Sequence, residues 1–130
     1  MLTAQKICEL GASAVRIYPT VVFYDTPLCE MAQHGLYAPL SVEEAVERTA
    51  PVLQFFRARA LPCIRVGLCA TESLTSPDAV YAGPNHPALG ELVWNAYYYD
   101  EIKRILQEKH LLGKCITLTI PEKEYSKIVT

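Results

Sequence analysis

The sequence lacks the glycine-rich loops that bind nucleotide phosphates in two large enzyme classes. Neither G-x-G-x-x-G nor G-x-x-x-x-G-K-[ST] occurs, so neither a nicotinamide-dependent dehydrogenase nor a P-loop kinase is indicated. Positive charge is not in excess, because 12 Lys and Arg stand against 14 Asp and Glu. A strongly basic nucleic-acid-binding face is therefore not expected. No apolar run approaches the roughly 20 residues that cross a bilayer, and the first residues lack a secretory hydrophobic region.

Tightly spaced cysteine pairs are also absent. The five cysteines are widely scattered, at Cys8, Cys29, Cys63, Cys69 and Cys115. An odd, scattered set gives no disulfide framework, and zinc sites usually use pairs such as C-x-x-C. A zinc site built from Cys63, Cys69, Cys115 and His86 is accordingly disfavoured against buried free thiols. The cysteine pattern indicates a reducing compartment, and we expect a cytoplasmic protein.

The composition is that of a folded globular chain. Hydrophobic residues make up 51% of the 130 residues and charged residues 20%, so disorder is not expected. The length suits one domain with a real core, although it is only about half of a typical (β/α) barrel.

Two short segments, 14–20 and 62–68, each carry an arginine at the centre of an alternating apolar pattern. The period of two predicts strands with Arg16 and Arg65 on one face. The opposite face is then aliphatic and carries Val15, Ile17, Ile64, Val66 and Leu68. A long helix separates the two segments, so the strands should pair in parallel with that helix on their aliphatic face. The arginine face is then solvent, a second core or the inside of a barrel.

Helix signals surround these strands. Ser41 and Glu44 form a capping-box pattern at the start of the long helix, and Pro51 lies inside it. A second long helix is predicted to begin at Pro87 and to bury an apolar stripe that includes Tyr99. A final alternating segment, 115–120, predicts another strand, followed by a helix start after Pro121.

Both ends of the chain are abrupt, with one helical turn before the first strand and a stop in mid-element. We therefore expect an α/β protein cut on both sides. Residues 1–110 are expected to form part of a (β/α) barrel, and residues 111–130 the start of a truncated α/β extension.

Two sequence blocks carry a family resemblance. These are R-I-Y-P-T at 16–20 and A-G-P-N-H-P-A-L-G-E-L-V at 82–93. Together they resemble the later half of the barrel in radical S-adenosylmethionine (SAM) proteins. The resemblance is closest to the subgroup of the Elongator catalytic subunit and oxygen-independent coproporphyrinogen III oxidase. It covers roughly residues 3–130 and implies an incomplete parallel (β/α) barrel, its C-terminal half, with a final strand–helix extension.

The resemblance implies a [4Fe-4S] cluster and S-adenosylmethionine as cofactors, and radical chemistry initiated by reductive cleavage of the sulfonium. The family's cluster loop is C-x-x-x-C-x-x-C, and this sequence has no such run. The chain therefore resembles the C-terminal half of such an enzyme, without the cluster that generates the radical. We expect the isolated chain to be inactive and to bind no iron–sulfur cluster. Its expected partner is the N-terminal radical SAM half, or a second copy through self-association.

Four residues are candidates for contact with the cofactor or a substrate. Arg16 and Arg65, if they face inward, suit a carboxylate or another anion; otherwise they pair with carboxylates such as Glu72. Tyr18 either lines the same cavity or packs as an ordinary aromatic residue. His86 either contacts a ligand near a helix N-terminus or caps its own helix. No catalytic residue and no metal ligand is assigned.

Two functions of different classes remain open. In the first, the chain is part of a radical enzyme and contributes the barrel-closing strands and substrate-side loops. In the second, it is a non-catalytic α/β module that binds a small ligand or a partner through its arginine face.

Overall fold

A computed structural model describes residues 1–68, 76 and 78–129 of the chain. Over these residues the chain forms five α-helices, one 3₁₀ turn and two small sheets. The helices are α1 (Leu2–Glu9), α2 (Pro27–Gln33), α3 (Val42–Arg57), α4 (Leu89–Glu108) and α5 (Tyr125–Ile128), with the 3₁₀ turn at Glu122–Glu124. The strands are β1 (Val15–Ile17), β2 (Val22–Phe23), β3 (Cys63–Val66) and β4 (Val80–Ala82). The predicted α/β class is confirmed.

Strands β1 and β3 pair in parallel, as the sequence predicts. The Val15 N–H donates to the Pro62 carbonyl at 2.9 Å, and the Gly67 N–H donates to the Ile17 carbonyl at 2.8 Å. Helix α3 connects the two strands and packs on them. The strands are shorter than the predicted segments, and each described sheet contains two strands, so a barrel stays a proposal.

The predicted alternation of β3 is wrong at Cys63 and Ile64, which exchange faces, and Leu68, predicted on the aliphatic face, is 41% exposed. Val15 pairs with Cys63 and Arg16 with Arg65, so Ile64 is an extra residue, as in a β-bulge. The bulge turns Cys63 toward the core in place of Ile64, which is 61% exposed, while Val66 is buried. A bulge reverses the facing of every residue before it, which a pattern within one strand does not reveal.

The first strand does not continue through residues 21–23. Instead, β2 pairs antiparallel with β4 in a separate sheet. The break falls at Pro19, which has no N–H to donate to a sheet. Gly83 follows β4 with φ +111, and a Cβ at this position would lie 3.0 Å from the Thr20 carbonyl. The second sheet therefore packs closely against the chain leaving β1.

Helix α3 begins with the predicted capping box. The Glu44 N–H donates to the Ser41 hydroxyl at 3.1 Å, and the Ser41 N–H donates to the Glu44 carboxylate at 2.8 Å. The helix continues through Pro51 and buries Ala45, Thr49, Ala50, Leu53 and Phe56. This stripe contacts two core clusters, one with α1 and β1 and the other with β3 and α4. Ile17 and Cys63 pack against both.

Helix α4 begins at Leu89, two residues later than predicted, and Leu89 and Val93 are buried. The prediction that Tyr99 is buried is wrong, since it is 63% exposed. The predicted strand over 115–120 is also wrong, because these residues form no regular element. A strand requires a neighbouring edge, and no described strand lies beside them. Among the described residues, no helix combines the length and apolar character needed to span a membrane.

Candidate functional site

Arg16 and Arg65 are direct neighbours across the parallel strand pair. Their Cα atoms are partners in the β1–β3 register, and both side chains are exposed. Since Val15, Ile17 and Val66 supply the core on the other side, both arginines lie on the face opposite the core. Guanidinium groups bind carboxylates and phosphates well. Glu72, the alternative partner considered from the sequence, lies outside the described residues.

Tyr18 and His86 lie near the carboxyl ends of the same strands. Tyr18 directly follows β1 and is 45% exposed. His86 lines a cavity of about 10 Å³ with residues that follow each strand, including Pro19 and Leu68. Such a volume holds about one water molecule, so it is a crevice and not a substrate pocket. In parallel α/β folds, ligands bind at the carboxyl ends of the strands, which makes this edge the candidate site.

His86 lies just before α4. Its Nδ1 accepts a hydrogen bond from the Ala88 N–H at 3.1 Å, and its carbonyl accepts one from the Leu89 N–H at 3.2 Å. These bonds hold the turn before α4, whose N-cap is Ala88 with no side-chain capping bond, so the capping role considered from the sequence is not seen. Because Nδ1 is an acceptor, the neutral ring carries its proton on Nε2. The exposed imidazole can then donate one hydrogen bond to a ligand.

Two glycines, which were not identified from the sequence, allow the close packing at the carboxyl edge of β3. Gly67 follows β3 with φ +79, a left-handed conformation that favours glycine. Gly90 lies in the first turn of α4, where an added Cβ would be 2.7 Å from the Val66 carbonyl. Helix α4 thus starts in direct contact with the end of β3. A glycine one turn inside a predicted helix often indicates close packing against another backbone, and Gly90 could have been identified in this way.

A second feature, also missed, is an aromatic and cationic cluster on α4. The Trp94, Tyr97 and Tyr98 rings pack together. The Arg57 guanidinium lies 5.5 Å from the Trp94 ring centroid, and Lys127 Nζ lies 4.8 Å from the same centroid. Tyr97 and Tyr98 are half-buried. The cluster holds α5 against α4.

Glu124 links this cluster to α5. Its Oε2 accepts hydrogen bonds from Lys127 Nζ at 2.8 Å and from the Tyr98 hydroxyl at 3.1 Å. The hydrogen bond from Lys127 lowers the pKa of Glu124, and the bond from Tyr98 acts in the same direction. Burial and the bond to Glu124 raise the pKa of Tyr98.

We expect the docking of α5 to weaken in acid. Since folding lowers the pKa of Glu124, its stabilisation is complete above the ordinary pKa of about 4.3 and is lost as the pH falls through the folded value. The loss should stay below about 1 kcal/mol, as for ion pairs near the surface. Trp94 is the one tryptophan in the sequence, so its fluorescence during acid titration reports the change.

The variant Glu124→Gln should remove most of this acid dependence. The control variant Glu47→Gln, at an exposed position of α3, should keep it. An unchanged titration curve in Glu124→Gln would contradict the assignment.

The described residues contain no group of three His, Cys, Asp or Glu side chains that could hold a metal ion. Burial raises the pKa of the Cys63 thiol, whose Sγ donates to the Arg65 carbonyl at 3.3 Å. A raised pKa disfavours the thiolate that binds iron. Cys69 lies outside the described residues.

Comparison with protein families decides the lineage. The family model of the radical SAM C-terminal domain matches residues 12–98, which is more than half of the chain. The chain belongs to the radical SAM family. Its matched region runs from just before β1 into the middle of α4 and includes Arg16, Tyr18, Arg65 and His86. Neither the curated proteins nor the solved structures give a match.

The radical SAM family implies an iron–sulfur cluster and S-adenosylmethionine, and the two fit this chain differently. The sequence has no C-x-x-x-C-x-x-C loop, so the cluster does not fit the residues present. S-adenosylmethionine carries a carboxylate, the kind of group that exposed arginines such as Arg16 and Arg65 are able to bind.

Proposed function

We propose that this chain is the C-terminal part of a radical SAM protein and supplies barrel-closing strands and substrate-side loops. The observation that carries the proposal is the parallel β1–α3–β3 unit with Arg16 and Arg65 in register. A (β/α) barrel is built from such units, and the family match spans this one. The cluster loop would come from an N-terminal half in the same assembly.

In this arrangement β1 and β3 are neighbouring barrel strands, and their arginine face points into the barrel. Arg16 and Arg65 bind a carboxylate, either that of S-adenosylmethionine or that of a substrate. Tyr18 and the His86 Nε2–H lie at the carboxyl edge and orient the ligand. When bound to a complete enzyme, S-adenosylmethionine supplies the radical, while the residues of this chain bind and position.

The subgroup we propose is that of the Elongator catalytic subunit and oxygen-independent coproporphyrinogen III oxidase. The R-I-Y-P-T block supports this assignment because it puts Arg16 at the centre of β1, with Tyr18 and Pro19 directly after the strand. The A-G-P-N-H-P block supports it because it forms the His86 crevice beside that end.

The proposal is tested by binding of S-adenosylmethionine. We expect the chain to bind it in complex with an N-terminal radical SAM segment that carries the C-x-x-x-C-x-x-C loop. Arg16→Gln or Arg65→Gln should each weaken binding by about tenfold to a hundredfold, the range for a lost hydrogen bond to a charged group. Isothermal titration calorimetry under anaerobic conditions measures the affinity.

Arg48→Gln, an exposed arginine on α3, is the matched control and should leave the affinity unchanged. Failure to form the complex, or equal affinity in the Arg16 and Arg65 variants, would overturn the proposal. Binding of small carboxylates by the chain alone, through the same two arginines, would favour the non-catalytic module instead.

A further inference from the structure

A self-complementary pattern lies in residues 114–122, beyond the region matched by the family model. Every second residue from Lys114 gives a lysine, three aliphatic residues and a glutamate, in the order Lys114, Ile116, Leu118, Ile120, Glu122. Reversed in direction, the same order places opposite charges at matching ends. This symmetry is what a strand needs in order to pair with a second copy of itself.

The structure leaves this segment uncovered. Ile116 is 43% exposed and Leu118 is 51% exposed, and Lys114 and Glu122 are exposed at the two ends. Within the described part of the chain, the backbone of residues 115–120 makes no hydrogen bond to other backbone groups. Isoleucine and threonine favour strands. A segment with strand composition, free backbone groups and exposed aliphatic side chains is suited to adding a strand from outside.

One antiparallel register gives every side chain on the aliphatic face a partner of matching character. With Leu118 opposite its own copy, Ile116 faces Ile120 and Lys114 faces Glu122, each twice by symmetry. On the other face Thr117 lies opposite Thr119. A shift of one residue sets Ile116 against Thr119, and a shift of two sets Lys114 against Ile120. The charge pairing therefore selects the register centred on Leu118.

We propose that residues 115–120 form an antiparallel strand pair with the same residues of a second copy, centred on Leu118, and that Lys114 and Glu122, the first residue of the 3₁₀ turn, flank the pair at its ends. The partner is a second copy because the lysine and glutamate at the two ends complement each other only when the segment meets itself in reverse. Neither the arginine pair nor the carboxyl edge of β1 and β3 takes part in this pairing, so the dimer does not depend on the proposed function.

Charge-reversal variants test the register. Lys114→Glu alone and Glu122→Lys alone each replace both opposite-charge contacts with like-charge contacts, so each should weaken the dimer by about tenfold in sedimentation equilibrium. A one-to-one mixture of the two variants should restore association, because each mixed pair again sets Glu opposite Lys at both ends. The double variant Lys114→Glu/Glu122→Lys should associate as the wild type does.

At protein concentrations below the dissociation constant of the dimer, the circular dichroism melting curves of the single variants should match the wild type, since both positions are exposed. A misfolded variant is not restored by mixing, so recovery in the mixture separates pairing from folding. A monomeric wild type would overturn the proposal. So would association that is unchanged by either charge reversal, the result expected if the strand adds to a different sheet edge.

Covalent trapping tests the centre of symmetry. In a Cys115→Ser background, Leu118→Cys places two thiols directly opposite, where Cα atoms are about 4.5–5.5 Å apart and a disulfide can form. Mild oxidation should give a crosslinked dimer on non-reducing gels. Ile116→Cys in the same background should crosslink poorly, because its own copy lies four residues away along the strand. Equal crosslinking at both positions would contradict the register.

Discussion

Replacing Leu53 with alanine is expected to lower the free energy of unfolding by about 2–5 kcal/mol, the range for truncation of a buried leucine. Leu53 is fully buried at the centre of α3 and contacts a core cluster that includes Ala50, Val66 and Val93. In this cluster α3 packs against both β3 and α4. The cavity left by the shorter alanine side chain would therefore weaken the contacts with both elements. The free energy of unfolding of a typical domain is about 5–15 kcal/mol. The urea concentration at the midpoint of unfolding should therefore fall markedly in this variant.

Ile64→Ala is the matched control for that experiment. It removes a side chain of the same size, but one that is 61% exposed. We expect a change within about 0.5 kcal/mol, as for surface substitutions. Comparable losses for the two variants would mean that Ile64 faces the core and that the bulge in β3 is absent.

Replacing Gly90 with alanine is expected to destabilise the protein by about 1–3 kcal/mol, the usual cost of forcing extra atoms into a packed contact. Helix propensity alone predicts the opposite sign, a gain of about 1 kcal/mol. The reversal follows from the Val66 carbonyl, which would lie 2.7 Å from the new Cβ. Either α4 must move away from β3 or the end of β3 must shift.

Glu91→Ala, at the neighbouring exposed position of α4, should leave the free energy within about 0.5 kcal/mol. A stabilised Gly90→Ala protein would show that the helix start is not held against the strand. Because the shift occurs at the candidate edge, a destabilised variant should also show displaced His86 ring resonances in NMR spectra.

Local signals in the sequence predicted a large part of the fold. The capping box fixed the start of α3, and the alternation around Arg16 and Arg65 predicted two parallel strands. These features depend on residues close together in the chain, whose preferences are read directly. The pairing also followed, because a long helical crossover between two strands is the usual connection in parallel sheets.

The errors have a different origin, since each depends on contacts between distant residues. The bulge at Ile64 is set by how β3 aligns with β1, not by β3 itself. The predicted strand at 115–120 has suitable residues but no described neighbour to pair with. Tyr99 fits an apolar helical stripe, yet no described element covers that part of α4 completely.

For the candidate site, the sequence predicted parallel neighbouring strands with Arg16 and Arg65 on one face, and the register of the pair then makes the two residues direct partners. The sequence also named His86, which lines the crevice at the carboxyl edge of these strands. It did not identify Gly90 or the Trp94 cluster. Those depend on the approach of α4 to β3 and α5, which composition and spacing do not encode.

Ile17 and Cys63 pack against both core clusters, and each is adjacent or nearly adjacent to one of the paired arginines. A local opening of either cluster would therefore disturb the strand pair that carries the arginines. The geometry of the arginine pair is thus tied to the global folding equilibrium and not to the opening of a separate loop. The backbone that carries Arg16 and Arg65 is ordered by the packing of the whole domain. No backbone ordering is then needed when a ligand binds.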